Sequence, residues 1–402
     1  MPDSIRRRPP KKPHADFPLF PHARGYWAKK VRGKLHYFGK IANDPRGEAA
    51  LDQWLEQKDD LLAGRTPRVD SDSLCVADLC NHFLDAKSHQ VDSGEIKLRT
   101  FRDYHATCKV VVKAFGKNRL VDDLAANDFQ ALRATLAKRL GPHALSREVQ
   151  GIRTLFKYGF DAALIEKPVR FGPTFKRPEK RIMRAHRQKV GQRLLEADAL
   201  RIIIASADQP LKAMILLGIN CGFGNYDCGT LPRSALDLKH GWVDFPRPKT
   251  AVERRCPLWP ETALAIQEAL HSRRPSRDEA FEHLVFITKY GQPWAKETSD
   301  SPVTKEFRKL IDSIDSEAAE EARKRRVKVP PKIYRRGIGF YALRHTFETI
   351  AGESKDQVAV NHIMGHADNS MAGVYREKIG DERLRAVAGH VRQWLYPNNR
   401  AK

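Results

Sequence analysis

The sequence lacks long apolar runs and has few cysteines, and each absence excludes a class of protein. It contains no run of about 18 apolar residues, so no membrane-spanning helix is predicted. The N-terminus, Met1 to Pro13, is basic and proline-rich and has no apolar core, unlike a secretory signal. The six cysteines form no Cys-x-x-Cys pairs and have no histidines at zinc-finger spacing. We therefore expect reduced thiols in a cytoplasmic protein, and no metal site.

Acidic residues are also scarce. The chain contains 49 Asp and Glu against 72 Lys and Arg, which gives a formal net charge of +23. Such an excess favours polyanions through counterion release and long-range steering. A polyanion such as double-stranded DNA is therefore the predicted partner, and we expect the protein to associate with the nucleoid. At 402 residues the chain is long for one hydrophobic core and is expected to form roughly two or three domains.

Two short glycine patterns raise the question of a nucleotide cofactor. Gly222-x-Gly224 and Gly337-x-Gly339 neither continue as Gly-x-Gly-x-x-Gly nor end in Gly-Lys-Ser/Thr. No cofactor is therefore predicted.

Residues 1–66 are predicted to form a basic module of a small sheet and a helix. Positions 1–40 carry eleven Lys and Arg against two acidic residues, and 25–39 is rich in strand formers around Gly33, which predicts a hairpin. A helix capped by Asp44, with Pro45 at its first position, is predicted to end at Gly64. The alternative is a solvated tail with a packing helix. The predicted DNA contacts of this module are Lys29, Lys30, Arg32 and Lys34.

Residues 67–166 are predicted to form a helical bundle. Apolar periodicity predicts helices near 74–88, 99–114, 127–139 and 144–163, with Gly116 and Gly141 between them. Basic residues are concentrated between 97 and 119, and Arg99 and Arg102 are predicted to contact backbone phosphates. A charged helix face is more often simply solvated, which is the alternative.

Residues 167–193 are predicted to form a basic linker without regular structure. The segment has ten basic residues and one acid, and it is interrupted by Pro168, Pro173 and Pro178. A polycationic linker between two DNA-binding domains is well placed to run along the duplex, whereas a disordered spacer is the alternative. Its predicted DNA contacts are Lys176, Arg177, Lys180 and Arg181.

The remainder, 194–402, is predicted to be one mostly helical domain. We expect helices near 196–207, 210–221, 260–273 and 299–311, a hairpin near 233–258, and a charged helix from Ser316 to Arg326 followed by a basic loop. The fold class is therefore mainly α with small β elements (α+β): a basic sheet–helix module, a helical bundle and a mixed C-terminal domain.

Three motifs near the C-terminus suggest chemistry on a phosphodiester. They are Tyr341-Ala-Leu-Arg-His-Thr-Phe, Met364-Gly365-His366 and, nine residues later, Tyr375. An arginine offers two parallel hydrogen bonds to a phosphate, a histidine offers a donor, and a phenol offers a nucleophile. Taken singly, Arg344 fits a surface ion pair, Gly365-His366 fits a helix C-cap, and Tyr375 fits a packing residue.

Together the motifs resemble the second catalytic box of the tyrosine recombinases, the phage integrase family. The resemblance implies that Arg344 clamps the phosphate, that His366 donates to it, and that Tyr375 attacks to leave a 3′-phosphotyrosyl bond and a free 5′ hydroxyl. Because that bond stores the energy of the broken linkage, rejoining needs neither ATP nor a metal.

The resemblance extends to the other parts of the chain. Lys249, on the predicted hairpin, matches a lysine proposed to protonate the departing 5′ oxygen, although it also fits a DNA-contacting turn. The basic module resembles an arm-type DNA-binding domain, the bundle a core-binding domain, and 194–402 a catalytic domain. The family resemblance further implies a homotetramer on two synapsed DNA sites and leaves open a DNA-bending accessory protein.

The first catalytic box departs from the family pattern. The family reads Thr-Gly-Leu-Arg with an acid shortly after, whereas this chain reads Cys221-Gly222-Phe223-Gly224-Asn-Tyr-Asp227. Gly224 stands where the arginine belongs, while Asp227 matches the acid. Tyr341 stands in place of a histidine and keeps a hydroxyl. The loss of one preorganised charged donor costs on the order of 3 kcal/mol in the transition state.

This departure leaves three hypotheses open. In the first, the chain is an active recombinase in which another cation fills the gap, with Arg233, Arg254, Arg255 and Arg336 as candidates. In the second, it is a weakly catalytic or non-catalytic DNA-binding regulator or accessory protein on the same fold. The third and least favoured is a type IB topoisomerase.

Overall fold

The computed structural model describes residues 11–64, 67, 74–296, 301–368 and 370–397. The chain divides into two compact units, Met1–His186 and Arg187–Lys402. Helices dominate, with two small three-stranded sheets, which confirms the expected fold class. The finer domain boundaries remain predictions. No helix in the described part of the chain combines the length and apolarity needed to cross a membrane.

The first unit begins with an antiparallel sheet covered by a helix. Strands β1 (Phe20–His22), β2 (Tyr26–Val31) and β3 (Lys34–Lys40) pair in chain order, and β2–β3 is the predicted hairpin. Helix α1 (Glu48–Ala63) packs on one face of the sheet. The core between them is formed by Phe17, Leu19, Trp27, Val31, Phe38, Ile41, Ala50, Trp54 and Leu61.

The predicted start of this helix is wrong. Helix α1 follows Gly47, whose φ of 71° lies in the left-handed region, so Pro45 precedes the helix. Asp44 still satisfies its first turn, because its carboxylate accepts hydrogen bonds from the backbone N–H of Glu48 at 3.0 Å and of Ala50 at 2.9 Å. A capping carboxylate was therefore correctly identified, but it acts across a turn rather than from the adjacent position.

Four helices form the predicted bundle. They are α2 (Val76–Asp92), α3 (Leu98–Phe115), α4 (Ala126–Arg139) and α5 (Pro142–Asp161). Their shared core contains Phe83, Phe115, Phe129 and Phe156, all almost completely buried. All four helix predictions are confirmed to within a few residues.

The prediction that 167–193 has no regular structure is wrong in two respects. Phe175 is fully buried in the bundle core and stacks on Phe171, with ring centroids 5.5 Å apart. Beyond Pro178 the chain forms helix α6 (Lys180–Val190). This stretch contains neither proline nor glycine, and Ile182, Met183, His186 and Val190 recur at helical spacing. The prediction gave more weight to the basic charge and the upstream prolines than to this apolar spacing.

The second unit surrounds the second sheet with helices. In chain order it contains α7 (Ala197–Ser206), α8 (Leu211–Asn220), α9 (Asn225–Gly229), β4 (Leu236–Asp237), β5 (Trp242–Asp244), β6 (Arg255–Pro257), α10 (Pro260–His271), α11 (Pro302–Lys324), α12 (Ala342–Gly352), α13 (Gln357–Met364), α14 (Met371–Val374) and α15 (Asp381–Leu395). Helix α8 is buried along nearly its whole length. At Gly218, a side chain would begin 2.7 Å from Leu343 Cδ1, so the glycine permits close packing of α12.

Two predicted elements of this unit are corrected. The hairpin has a third strand, because β4 pairs with β5 ahead of the β5–β6 pair. The helices predicted near 299–311 and from Ser316 to Arg326 are one helix, α11. Its buried residues, Val303, Phe307, Ile311, Ile314 and Ala322, continue one apolar stripe past the expected break.

Candidate functional site

Arg344 lies in the interior of the second unit, on the first turn of α12. The residue is 2% exposed. Its Nη1 donates to the Gly222 carbonyl and its Nη2 to the Met364 carbonyl, both at 2.6 Å. Those two carbonyls come from the loop after α8 and from the end of α13. Arg344 therefore joins three segments, and its remaining N–H groups are available to another acceptor.

His366 lies beside Arg344. It follows Gly365, whose φ of 61° ends α13 with a left-handed cap, and its Nε2 is 3.0 Å from Arg344 Nη2. A guanidinium can only donate, so Nε2 accepts and the imidazole proton resides on Nδ1. Nδ1 faces Glu348 Oε2 at 3.9 Å, and that buried oxygen has no hydrogen-bond partner among the residues that the structure describes. The structure therefore brings together two of the predicted catalytic residues and adds Glu348 behind them.

The electrostatics of this pair are strongly positive. Burial lowers the pKa of Arg344, and the charge of Arg247 lowers it further. Burial also lowers the pKa of His366, as do the charges of Arg344 and Arg247, against a smaller opposing effect of Glu348. His366 is therefore neutral at neutral pH, and the charge at the site is that of its arginines.

Gly224 and Tyr341, the two departures from the family pattern, are in contact. A side chain on residue 224 would begin 3.2 Å from Tyr341 Cε2 and 3.3 Å from Asp227 Oδ2. The Tyr341 ring in turn packs edge-on against His345, with centroids 5.4 Å apart. Tyr341 is 45% exposed, so its ring borders the site from the solvent side.

Asp227 and Arg254 form a buried ion pair beneath Gly224. Asp227 Oδ2 accepts the Gly224 N–H at 2.6 Å, and its Oδ1 is 3.2 Å from Arg254 Nη2. The Arg254 side chain is 1% exposed and lies 4.0 Å from the centroid of the Phe223 ring. Its Nε donates to the Phe245 carbonyl at 2.6 Å, whereas Nη1 and Nη2 have no hydrogen-bond acceptor among the described residues.

Of the four arginines considered as replacements at position 224, Arg254 is the one that lies against this site. Arg233 pairs with Glu282 at 3.2 Å, and Arg255 pairs with Asp244 at 2.5 Å and with Asp381 at 3.1 Å. Arg336 is exposed. The ion pairs of Arg233 and Arg255 therefore stabilise contacts elsewhere in the second unit.

The β5–β6 turn contributes an arginine that the sequence prediction does not include. Arg247 Nη1 donates to the Gly365 carbonyl at 3.4 Å, and Thr250 Oγ1 reaches the same oxygen at 3.4 Å. Lys249, two residues further along the turn, is exposed and makes no side-chain contact within the described residues. The signal in the sequence was the short Pro-Arg-Pro-Lys-Thr run, which places a second cation beside the predicted lysine.

Tyr375 ends the short helix α14 and is 77% exposed. Asp368 organises this segment: it accepts from Ser370 Oγ at 2.6 Å and from Arg376 Nη1 at 3.0 Å. The Tyr375 hydroxyl has no hydrogen-bond partner in the described part of the chain. Tyr375 and Lys249 are thus exposed, and among the described residues neither side chain is hydrogen-bonded to Arg344 or His366.

The predicted DNA contacts occupy different environments. Lys29 donates to the Pro18 carbonyl at 2.8 Å, and Arg32 to the Leu62 carbonyl at 3.4 Å, so both help hold the first module together. Arg177 hydrogen-bonds to Gln150. The other predicted contacts are exposed: Lys30, Lys34, Arg99, Arg102, Lys176, Lys180 and Arg181. Helix α6, which carries the last two, has no buried residue.

No metal site accompanies these residues: within the described ranges, no three His, Cys, Asp or Glu side chains are grouped to hold an ion.

Comparison with known proteins gives one family and a consistent fold. The family model described as the phage integrase family matches residues 187–380. A comparison with curated proteins finds no match by sequence.

Three solved structures with the same fold are distant in sequence. The chain is 14% identical to a lambda integrase dimer bound to a COC′ core site (TM-score 0.53), covering 90% of this chain and 97% of that one. It is 15% identical to a lambda integrase tetramer bound to a Holliday junction (TM-score 0.52), covering 92% and 99%. It is 13% identical to the Tn1549 transposon integrase in complex with transposon right end DNA (TM-score 0.57), covering 79% and 100%. At these identities the likeness is one of fold.

Proposed function

Because residues 187–380 make this chain a member of the phage integrase family, the tyrosine recombinases, we propose that it is a site-specific recombinase that cuts and rejoins double-stranded DNA through Tyr375. The observation that carries the proposal is the buried Arg344 guanidinium with His366 Nε2 at 3.0 Å. Fixed donors of this kind stabilise the charge that develops on the non-bridging oxygens of a phosphodiester under attack.

In the proposed reaction, the Tyr375 oxygen attacks phosphorus and the bond from phosphorus to the 5′ oxygen breaks. Neutral His366 takes up the phenol proton at Nε2 and then donates from that atom to a non-bridging oxygen, while Nδ1–H faces Glu348. Lys249 gives a proton to the departing 5′ oxygen. Reversal of these steps with a new 5′ hydroxyl rejoins the strand, with no external source of energy.

In this proposal, a movement of α14 delivers the nucleophile. Tyr375 is exposed at the end of this four-residue helix, which is preceded by the hydrogen-bonded Asp368 and Ser370. Short polar attachments of this kind open at low cost. We propose that α14 carries Tyr375 to the phosphate held by Arg344.

The proposed DNA contacts are the exposed basic residues of both units, including Lys249 on the β5–β6 turn. Helix α6 is a notable case, because a helix of eleven residues without a buried face is marginal in water. Phosphates alongside Lys180 and Arg181 would stabilise it. By analogy with the dimeric and tetrameric integrase complexes, we propose a homotetramer on two synapsed sites, with a DNA-bending protein as a further partner.

One observation favours a second candidate function. Gly224 removes the arginine of the first box, so a DNA-binding regulator with little or no cleavage activity fits the same fold. A type IB topoisomerase is less favoured, because the N-terminal sheet–helix module and the bundle are integrase-like parts; relaxation of supercoils without recombination would distinguish it.

Covalent trapping tests the proposal. The full chain is incubated with a pool of nicked duplexes whose sequence is randomised around the nick, and complexes that survive detergent are isolated. We expect a phosphotyrosyl peptide containing Tyr375, and the trapped DNA identifies the site. Tyr375→Phe should abolish the adduct and leave duplex binding intact, because only the nucleophilic oxygen is removed.

Two results would redirect the assignment. An adduct at full yield in Tyr375→Phe would move the nucleophile elsewhere, with Tyr341 the first residue to test. Sequence-specific binding with no adduct in the wild-type chain would favour the regulator.

A further inference from the structure

The geometry points to Arg247, on the β5–β6 turn, as the residue that replaces the missing first-box arginine and clamps the scissile phosphate together with Arg344. This inference rests on the proposed function, because it assigns a second cation to the same phosphate. Three observations support it: position 224 supplies no charge and is crowded by Tyr341, Arg247 lies next to Arg344, and neither arginine has an anionic partner.

The Tyr341 ring crowds the position at which a side chain on residue 224 would begin. Its Cε2 and Cδ2 atoms are 3.2 and 3.4 Å from the place where the side chain would begin. Residue 224 is glycine and supplies no charge, so a second cation at the phosphate has to come from another residue.

Arg247 reaches the site from the β5–β6 turn, next to Gly365. Its Nη1 donates to the Gly365 carbonyl, while Arg344 Nη2 donates to the carbonyl of the preceding residue, Met364. The two guanidinium groups thus hold consecutive carbonyls of one backbone segment. A side chain on residue 365 would begin 2.9 Å from Arg247 Cβ, so the glycine is what allows this approach.

Neither of the two arginines is neutralised. Among the described residues no carboxylate lies within ion-pair distance of Arg344 or Arg247, and the pKa of Arg344 is lowered by burial and by the charge of Arg247. Like charges this close are unfavourable until an anion binds between them. A phosphodiester, with two non-bridging oxygens, has the charge and the acceptors that the pair lacks.

Arg254 has a supporting role instead. Its side chain is 1% exposed and paired with Asp227, so a duplex has no access to it. Its Cδ lies 3.3 Å from the position of a side chain on Gly365, beside Arg247. Arg254 therefore supports the backbone of the β5–β6 turn and of Gly365, while the half-buried Arg247 keeps a guanidinium that is held by one long hydrogen bond.

The test compares three variants of the full chain: Arg247→Ala, Arg247→Lys and Lys239→Ala. Lys239 lies on the β4–β5 turn of the same sheet and is exposed, so its removal matches the charge change elsewhere. The rate of adduct formation on the trapped nicked duplex is measured at saturating protein. We expect a loss of roughly 10² to 10³-fold in Arg247→Ala with little change in duplex affinity, because the donor acts on charge that develops in the transition state.

Arg247→Lys keeps the charge but loses the planar guanidinium with its paired N–H donors. We therefore expect a rate between those of the wild type and Arg247→Ala. Lys239→Ala should react at the wild-type rate. Adduct formation by folded Arg247→Ala at the wild-type rate would overturn the assignment.

A second measurement does not depend on cleavage. Inorganic phosphate is titrated into each protein, and the imidazole resonances of His366 are followed by NMR, assigned by their loss in His366→Asn. Phosphate should shift these resonances in the wild type and in Lys239→Ala, and at least tenfold more phosphate should be needed in Arg247→Ala. If the wild type forms no adduct, the proposed activity fails, and this titration still decides the role of Arg247: equal phosphate responses in wild type and Arg247→Ala would overturn it.

Discussion

The ring of Tyr341 lies over Gly224, with Cε2 3.2 Å from the position at which a side chain on residue 224 would begin. The glycine itself has φ −93° and ψ 177°, a conformation open to any residue. The absence of a side chain is therefore tied to Tyr341 and not to backbone strain.

This contact changes the outcome expected for Gly224→Arg. Alone, the substitution should not raise adduct formation, because the arginine is crowded by Tyr341 and repelled by Arg344. Combined with Tyr341→His, which removes the phenol ring, it should react faster than either single variant. Single-turnover adduct formation by the four proteins of this double-mutant cycle measures the coupling. Full activation by Gly224→Arg alone would show that Tyr341 moves aside freely.

The Asp227–Arg254 pair should be important for stability. Asp227→Ala leaves a buried guanidinium without its counter-ion, so we expect a loss of about 3–5 kcal/mol in the free energy of unfolding. Asp244→Ala is the matched control, because it removes a half-exposed carboxylate paired with Arg255 and should cost less than about 1 kcal/mol. Urea unfolding of the full chain measures both. Equal losses would contradict the special role of the buried pair.

Stability should fall as the pH is lowered through the histidine range. Burial lowers the pKa values of His345, His362 and His366, so below about pH 6.5 the unfolded chain binds more protons than the folded chain. The free energy of unfolding should therefore rise with pH up to about 6.5 and then level off. Urea midpoints measured across this pH range test whether stability rises with pH, as expected. His366→Asn should flatten the slope, and an unchanged slope would remove His366 from the effect.

Lys29 and Lys30 are adjacent in sequence, but we expect their substitution to affect DNA binding differently. Lys30 shares the outer face of the first sheet with Tyr37, which is 41% exposed, whereas Lys29 lies over the Trp54 ring at 5.5 Å and is bonded to Pro18. If the outer face contacts DNA, Lys30→Ala should reduce the salt slope of binding by about 1.

Lys29→Ala should leave the slope unchanged and lower the stability of the module. Binding isotherms at several salt concentrations give the slopes. Equal slopes for wild type and Lys30→Ala would indicate that this face does not touch the duplex.

Much of the fold could be predicted from sequence because it depends on short-range patterns. Apolar periodicity located α2 to α5, and strand formers around Gly33 located the β2–β3 hairpin. The 167–193 segment shows where this reasoning fails: net charge and prolines outweighed a weak helical periodicity, and the burial of Phe175 depends on a bundle that forms elsewhere in the chain.

The sequence by itself determined the cationic character of the chain, its mainly helical class and the Arg344, His366 and Tyr375 motifs, because charge, periodicity and local spacing are properties of the chain alone. Only the tertiary structure decided what surrounds Arg344. Arg247 meets Gly365 across 118 positions of sequence, and Tyr341 meets Gly224 because α12 packs against α8 through Gly218. Contacts of this kind depend on how whole elements pack, and no local pattern encodes them.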